Sequence, residues 1–339
     1  MRWMITALIP LFTVACEQVN GFALAPQWQS EVVAQWQDEL PDMLLLSQDY
    51  QTLFVSCETR TNMLSPSLVR IDLESGTKET LLYGLNRADG LKMDLHGNIW
   101  LGEEVEDGLI IHISSPANMP PEQRFDRDRL IGSLANVTPI LAAGRFSHEG
   151  MAFSKDGRYL YLADEWQEGC LYRFEIKTNK LQVLHSQKGW LAITTPENAR
   201  LRAEVLHGQY FDRMEDMELL PDGTILVAET ASSNEQGRIW RLDDRGEKPQ
   251  ISLYLKSETI THPDNLDWDE KRQWLWITDD SSTSKLLAWD GKTVTQIATH
   301  SSGEITGVEN SSDGSLYINI QHDIFGPDLT LKIEPVQGQ

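Results

Sequence analysis

The chain has 339 residues, with 29 Lys and Arg against 51 Asp and Glu, a formal charge of −22. Its apolar fraction of 40 % supplies a sizeable core and excludes disorder, and at ~150 residues per domain the length allows two domains or one large all-β unit. The acidic excess excludes nucleic acid as a partner, since polyphosphate repels such a field, and leaves either a solvated acidic surface or carboxylates gathered around cations.

Met1 and Arg2 precede an apolar run from Trp3 to Ala15, too short to span a bilayer but suited to a signal-peptide core. The run ends in Thr13-Val14-Ala15-Cys16, which is similar to a bacterial lipobox, with Cys16 as the lipidated first residue. Residues 1–15 are then a removed signal and 16–26 a tether. By analogy with lipoproteins, Glu17 after the cysteine implies outer-membrane sorting. The expected setting is the periplasmic side of a bacterial cell envelope, with the lipid anchor as the one membrane contact; ordinary signal cleavage would give a secreted protein. Cys57 and Cys170 remain as two thiols that an oxidising compartment would let pair.

From residue 42 onward one pattern recurs six times. An acid with a small or polar neighbour opens it, alternating apolar residues and an Asp-Gly-like turn follow, and an apolar strand ends it in acids. The copies open at Asp42 (a worn copy ending in Cys57-Glu58), Asp89-Gly90, Glu149-Gly150, Glu215-Asp216, Asp264-Asn265 and Thr306-Gly307, the last with Glu304 close by. The turns include His96-Gly97, Asp156-Gly157, Asp222-Gly223 and Asp313-Gly314, so each copy reads as a hairpin. A second hairpin follows most copies, as at Leu171-Tyr172-Arg173-Phe174-Glu175 and Ile239-Trp240-Arg241-Leu242-Asp243. Units of four short strands at ~40–50 residues predict an all-β, six-bladed β-propeller over 27–339, with the 11 tryptophans filling layers between sheets. The last unit is one strand short, and Trp28 to Trp36 would supply it and close the ring.

Two blades carry insertions, 105–147 and 186–212, expected to connect an outer strand to the next inner strand and to cover one rim. In the second, Thr195-Pro196-Glu197 and His207-Gly208 bracket a helix over Asn198 to Leu206, with Pro at the first position and Gly just past the end.

In a propeller blade the innermost strand starts at the face where the second strand ends. The opening acids Asp89, Glu149, Glu215, Asp264 (with Asn265) and Glu304 therefore share a channel mouth with the ending acids Glu103, Glu104, Asp164, Glu165, Glu229, Asp279 and Asp280. Converging carboxylates must protonate, bind cations or pair with arginine. Oxygen ligands favour hard cations, Ca²⁺ first, with Mg²⁺, Mn²⁺ or Fe³⁺ as alternatives. Arg213, two residues before Glu215, reads as a clamp for an anion, whereas Arg87 and Arg145 read as charge balance and His148 and His262 as rim residues.

Several segments resemble the PhoX-type alkaline phosphatases, six-bladed envelope or secreted propellers with an iron–calcium centre. They are Asn86 to Gly90, Trp100-Leu101-Gly102-Glu103-Glu104, His148-Glu149-Gly150, Arg213-Met214-Glu215-Asp216, Pro263-Asp264-Asn265-Leu266, Glu304-Ile305-Thr306-Gly307 and Asn319-Ile320-Gln321-His322. The resemblance implies a metal-dependent phosphoester hydrolase acting on a small phosphorylated or anionic substrate, as a monomer. Glu149 and Glu215 would be catalytic metal ligands, Arg213 would hold phosphoryl oxygens, and Glu103 or Glu104 would join the metal shell. Gly102 stands where the family has an iron-bridging cysteine, which puts Ca²⁺ ahead of Fe³⁺, with Cys57 as a substitute sulfur. Two other readings stay open: a gluconolactonase-like or paraoxonase-like lactonase with one Ca²⁺ on Glu149, Glu215 and Asn265, to which phytase-like esterases are close, and a non-enzymatic lipid-anchored propeller whose calcium is structural.

Overall fold

Alternating apolar residues and a left-handed turn residue build the same hairpin six times, with Gly at that position in four blades and Tyr50 and Gln273 in blades 1 and 5. A computed structural model describes residues 19–60, 65–231 and 236–336. The signal segment and Cys16 lie outside them. The inner strands are Pro41–Leu46, Ala88–Met93, His148–Phe153, Met214–Leu219, Pro263–Asp269 and Glu304–Asn310. Each pairs antiparallel with a second strand: Thr52–Cys57, Ile99–Glu103, Tyr159–Asp164, Ile225–Glu229, Trp274–Asp279 and Leu316–Gln321. The turn glycines Gly157, Gly223 and Gly314 have φ of 67°, 85° and 91°, a region open to Gly at little cost.

The six sheets form a six-bladed β-propeller, and each adjacent pair of blades encloses its own apolar layer. Trp100 lies between blades 2 and 3, Trp276 and Trp28 between blades 5 and 6, and Trp36 between blades 6 and 1. Strand Trp28–Trp36 pairs antiparallel with the C-terminal strand Asp328–Pro335, so the two ends of the chain close the ring in one blade. Trp36 is fully buried there and donates its indole N–H to Thr330 Oγ1 at 2.9 Å. Burial of each such side chain contributes about 1.5–3 kcal/mol.

The connections depart from expectation. Segment 105–147 contains the third and fourth strands of blade 2, Ile110–Ile113 and Val137–Pro139. Between them, Gln123–Asp126 lies parallel to Lys78–Tyr83 on the outer edge of blade 1, with Ile131–Gly132 beside it. Segment 186–212 adds a fifth strand, Gly189–Ile193, to blade 3. The helix is Ala199–Val205, preceded by a 3-10 turn at Pro196–Asn198, and Thr195 makes no side-chain capping bond. His207, with φ of 55°, takes the left-handed position beyond the helix, and Gly208 packs where a Cβ would stand 2.9 Å from Cys170 Sγ. Part of the expected tether is structured: Phe22–Leu24 pairs with Val294–His300 on blade 5. Cys57 and Cys170 are both buried free thiols. Among the described residues no helix is long and apolar enough to cross a membrane.

The inner strands touch. A Cβ at Gly150 would overlap the Glu215 carbonyl oxygen of the next blade, and one at Gly90 would overlap that of Glu149. Gly150→Ala is therefore expected to cost about 1–3 kcal/mol, read as a lowered midpoint in thermal melts. An unchanged midpoint would show that the strands can spread freely.

Candidate metal centre at the channel mouth

All six inner strands break register at the same level. The breaks fall between Pro41 and Leu44, Ala88 and Leu91, His148 and Met151, Met214 and Met217, Pro263 and Leu266, and Thr306 and Val308. A β-bulge re-aims side chains, and here it separates two neighbouring residues. The first lines the mouth: Asp42, Asp89, Glu149, Glu215 and Asp264, with Thr306 in blade 6. The second locks onto the next blade. Gly90 and Gly150 abut the following strand, Asp216 Oδ2 accepts from Leu266 N at 3.1 Å, and Asn265 Oδ1 accepts from Gly307 N at 2.5 Å. Gly307 in turn packs on the Asp42 carbonyl of blade 1, and Met43, next to Asp42, packs in the apolar layer between blades 1 and 2, which closes the circle. Asn265, expected among the metal ligands, is thus a buried inter-blade strut. Its amide is used by Gly307, by Thr278 Oγ1 at 3.1 Å and by Met43 Sδ at 3.0 Å.

Period-two alternation divides the strand-end pairs in the same way. Glu103 turns away from the mouth and accepts from Asn86 N at 2.8 Å, Leu109 N at 3.1 Å and Arg127 Nε at 3.2 Å. Asp164 pairs with Arg200, Glu229 accepts from Asp212 N, and Asp279 accepts from Thr261 N and His262 N. These residues fasten incoming linkers to strand ends, so Glu103 does not join the cluster. Their successors Glu104 and Asp280, like Glu58 after Cys57, line the mouth, and Glu304 lines it from blade 6.

Two sets of three carboxylates come together. Oxygens of Asp89, Glu104 and Glu149 lie within 4.8 Å of one another, as do those of Glu149, Glu215 and Asp264, so Glu149 belongs to both. Asp89 Oδ1 and Glu149 Oε2 are buried without a hydrogen-bond partner. Burial and mutual repulsion hold Asp42, Asp89, Glu149 and Asp264 well above the usual carboxylate range. Burial dominates the shifts that push Glu104 up to about 9, Glu215 to about 8 and Glu304 to about 7. Orphaned buried oxygens and an all-oxygen donor set fit a hard cation such as Ca²⁺. A thiolate-bridged iron pair does not fit. No sulfur lines the mouth among the described residues, a Cβ at Gly102 would stand 2.6 Å from the His148 carbonyl oxygen, and Cys57 is packed in the layer between blades 6 and 1.

Two arginines overlook the carboxylates. Arg87 and Arg213 each precede an inner strand with left-handed φ, 49° and 57°. Strain of this kind persists where surrounding bonds over-determine it. Arg87 N donates to Thr59 O and Arg87 O accepts from Glu104 N; Arg213 N donates to Trp166 O and Arg213 O accepts from Thr230 N. Arg87 pairs with Glu58 and Glu104, and Arg213 with Glu165 at 2.5 Å and Glu215 at 3.1 Å. The two are equivalent in construction, so the sequence reading that separated Arg213 as a clamp from Arg87 as charge balance is too asymmetric. His262 lines the mouth, whereas His148 is buried against Phe146 and burial pushes it down to about 3, leaving it neutral. Gln321 joins the site unforeseen, donating to Glu58 Oε2 at 3.2 Å and Asp42 Oδ2 at 3.4 Å. Asp280 stands at the mouth as the repeat register placed it, and Asp42 and Glu58 were legible from the same register.

No family model matches this chain, and no curated protein matches it in sequence. Solved structures share the fold. Pseudomonas fluorescens PhoX, in complex with the transition-state analogue vanadate, superposes with a TM-score of 0.70 at 14 % identity, covering 93 % of this chain and 96 % of that one. A Xanthomonas campestris gluconolactonase gives 0.60 at 14 % identity, covering 93 % and 92 %. A Trichoderma reesei carbohydrate-active enzyme of family AA12 gives 0.54 at 10 % identity, covering 93 % and 98 %. These likenesses define the class as six-bladed propellers.

Raised carboxyl pKa values carry a sign. In cation-free protein, stability from these groups is fully present below their unfolded values near 4.5 and is lost as pH rises through about 7 to 9. Thermal melts in chelator should thus fall in midpoint between pH 5 and 9, and Ca²⁺ should restore the midpoint most at the alkaline end. A chelated midpoint that rises over this window, or indifference to Ca²⁺, would contradict the cluster's electrostatics.

Proposed function

We propose that the mouth is the active site of a divalent-cation-dependent hydrolase of small phosphoesters. The observation that carries this reading is the pair of carboxylate triads meeting at Glu149 beneath Arg87 and Arg213. The five carboxylates of the two triads nearly balance two divalent cations. When bound, such cations supply Lewis acidity to a phosphoryl oxygen.

The chain's own residues supply the rest. Asp89, Glu104, Glu149, Glu215 and Asp264 would hold the cations. Arg213 and Arg87 present guanidinium forks whose planar donors match the non-bridging oxygens of a phosphoryl group and stabilise charge as it develops there. Arg213 remains 43 % exposed while tied to Glu165 and Glu215, so it is held in place yet open to a ligand. That the fold neighbour PhoX was captured with vanadate supports the same class of chemistry here. The lactone reading loses ground because Asn265, one of its three expected ligands, is committed between blades.

The test is hydrolysis of p-nitrophenyl phosphate, bis(p-nitrophenyl) phosphate and gluconolactone by the full chain, with Ca²⁺ and after chelation. Phosphomonoester turnover that requires the cation is expected. Glu149→Gln, which removes the shared ligand, should lower kcat/KM by at least about 10²-fold. Arg213→Ala and Arg87→Ala should both act, chiefly through KM and phosphate inhibition. Turnover indifferent to chelation, or preference for the lactone, would overturn the proposal.

A further inference from the structure

A second depression of about 430 Å³ adjoins the mouth on the side of blades 2 and 3. Arg87 and Glu104 line both spaces, so the two communicate across these side chains. Its remaining wall includes Asn86, Ser147, Glu165 and Trp166. Trp166 is the unusual member. It follows the strand end Asp164-Glu165 and leaves 50 % of its surface exposed, although large aromatic side chains are ordinarily covered.

This indole is held rigidly. Arg200 lies over its ring with the guanidinium carbon 4.4 Å from the centroid, and Arg200 is itself fixed by buried Asp164 through Nε at 2.8 Å and Nη2 at 2.6 Å. The Trp166 carbonyl accepts from Gly169 N at 3.0 Å and from Arg213 N at 2.9 Å. The same peptide therefore positions the arginine at the mouth and the indole in the adjoining depression. An aromatic plate backed by a cation, half open to solvent and separated from the mouth by Arg87 and Glu104, is a stacking platform.

We propose that the depression over Trp166 is the leaving-group subsite, and that the preferred substrates are phosphoesters of a flat ring, aromatic or heteroaromatic. The inference rests on the hydrolase reading above and adds the substrate class to it. A phosphoryl group held at Arg87 and Arg213 directs its ester oxygen toward the shared wall, and a ring attached there lies against Trp166. Asn86 and Ser147 offer polar contacts to ring substituents. Straight-chain alkyl phosphates would leave the indole uncovered.

Binding of two non-hydrolysable phosphonates to the full chain in Ca²⁺, measured by calorimetry, separates the two levels of the proposal. Phenylphosphonate is expected to bind about tenfold tighter than methylphosphonate, the order of gain that stacking on one aromatic side chain supplies. Trp166→Ala should abolish that ratio by weakening phenylphosphonate more than methylphosphonate, and Trp166→Phe should keep most of it. Equal affinities in the wild-type chain, or a ratio that survives Trp166→Ala, would overturn the subsite while leaving the hydrolase reading standing. Failure of both phosphonates to bind would overturn the hydrolase reading, and the subsite with it.

Discussion

At the level of the bulges, the six inner strands of this propeller approach one another so closely that three of them, at Gly90, Gly150 and Gly307, admit only glycine against the neighbouring backbone. That contact sets the width of the channel mouth. Because each bulge turns its first residue inward and locks its second onto the next blade, five acids from five blades are delivered to one small space without a loop to position them. Glu149 sits at the meeting point of two triads because Gly90 abuts its carbonyl from one side while Gly150 abuts Glu215 on the other.

The electrostatic consequence follows from the packing. Buried carboxylates at this spacing cannot all be ionised in low dielectric without a compensating charge. The protein supplies some of that charge itself, through Arg87 and Arg213, and has drawn the strand-end acids Glu103, Asp164, Glu229 and Asp279 out of the conflict by pairing them with linkers and basic residues. Within the triads Glu104 and Glu215 have these arginines as partners, whereas Asp89, Glu149 and Asp264 stay unbalanced. Repulsion there is relieved either by protons, which raises the pKa values, or by cations, which would give the site a chemistry.

The repeat made the blade count, the hairpins and the closing strand Trp28–Trp36 legible in the sequence, because period-two apolarity and turn glycines are local signals. It also located Glu149, Glu215, Asp264, Glu104 and Glu304 at the mouth by register. Glu103 and Asn265 were misplaced because adjacent residues in a strand or bulge face opposite ways, and the choice between Glu103 and Glu104 depends on the phase of the strand. Asp280 was placed at the mouth with the other strand-end acids, whereas Asp42 and Glu58 occupied the same register but were passed over because blade 1 is a worn copy. The internal strands of 105–147 and the fifth strand of blade 3 were hidden by their short length. Trp166 gave no signal at all, since exposure of one tryptophan among 11 depends on tertiary packing.

The electrostatic account has its sharpest expression in cation stoichiometry, since a shared ligand makes two sites interdependent. Calorimetric titration of chelator-treated full chain with Ca²⁺ at pH 8 should show two bound ions per chain and release of protons. In Glu149→Gln both should weaken together, because each triad loses the same carboxylate. No binding by the native chain, or loss of a single ion with the other unaffected in Glu149→Gln, would contradict the shared-carboxylate centre.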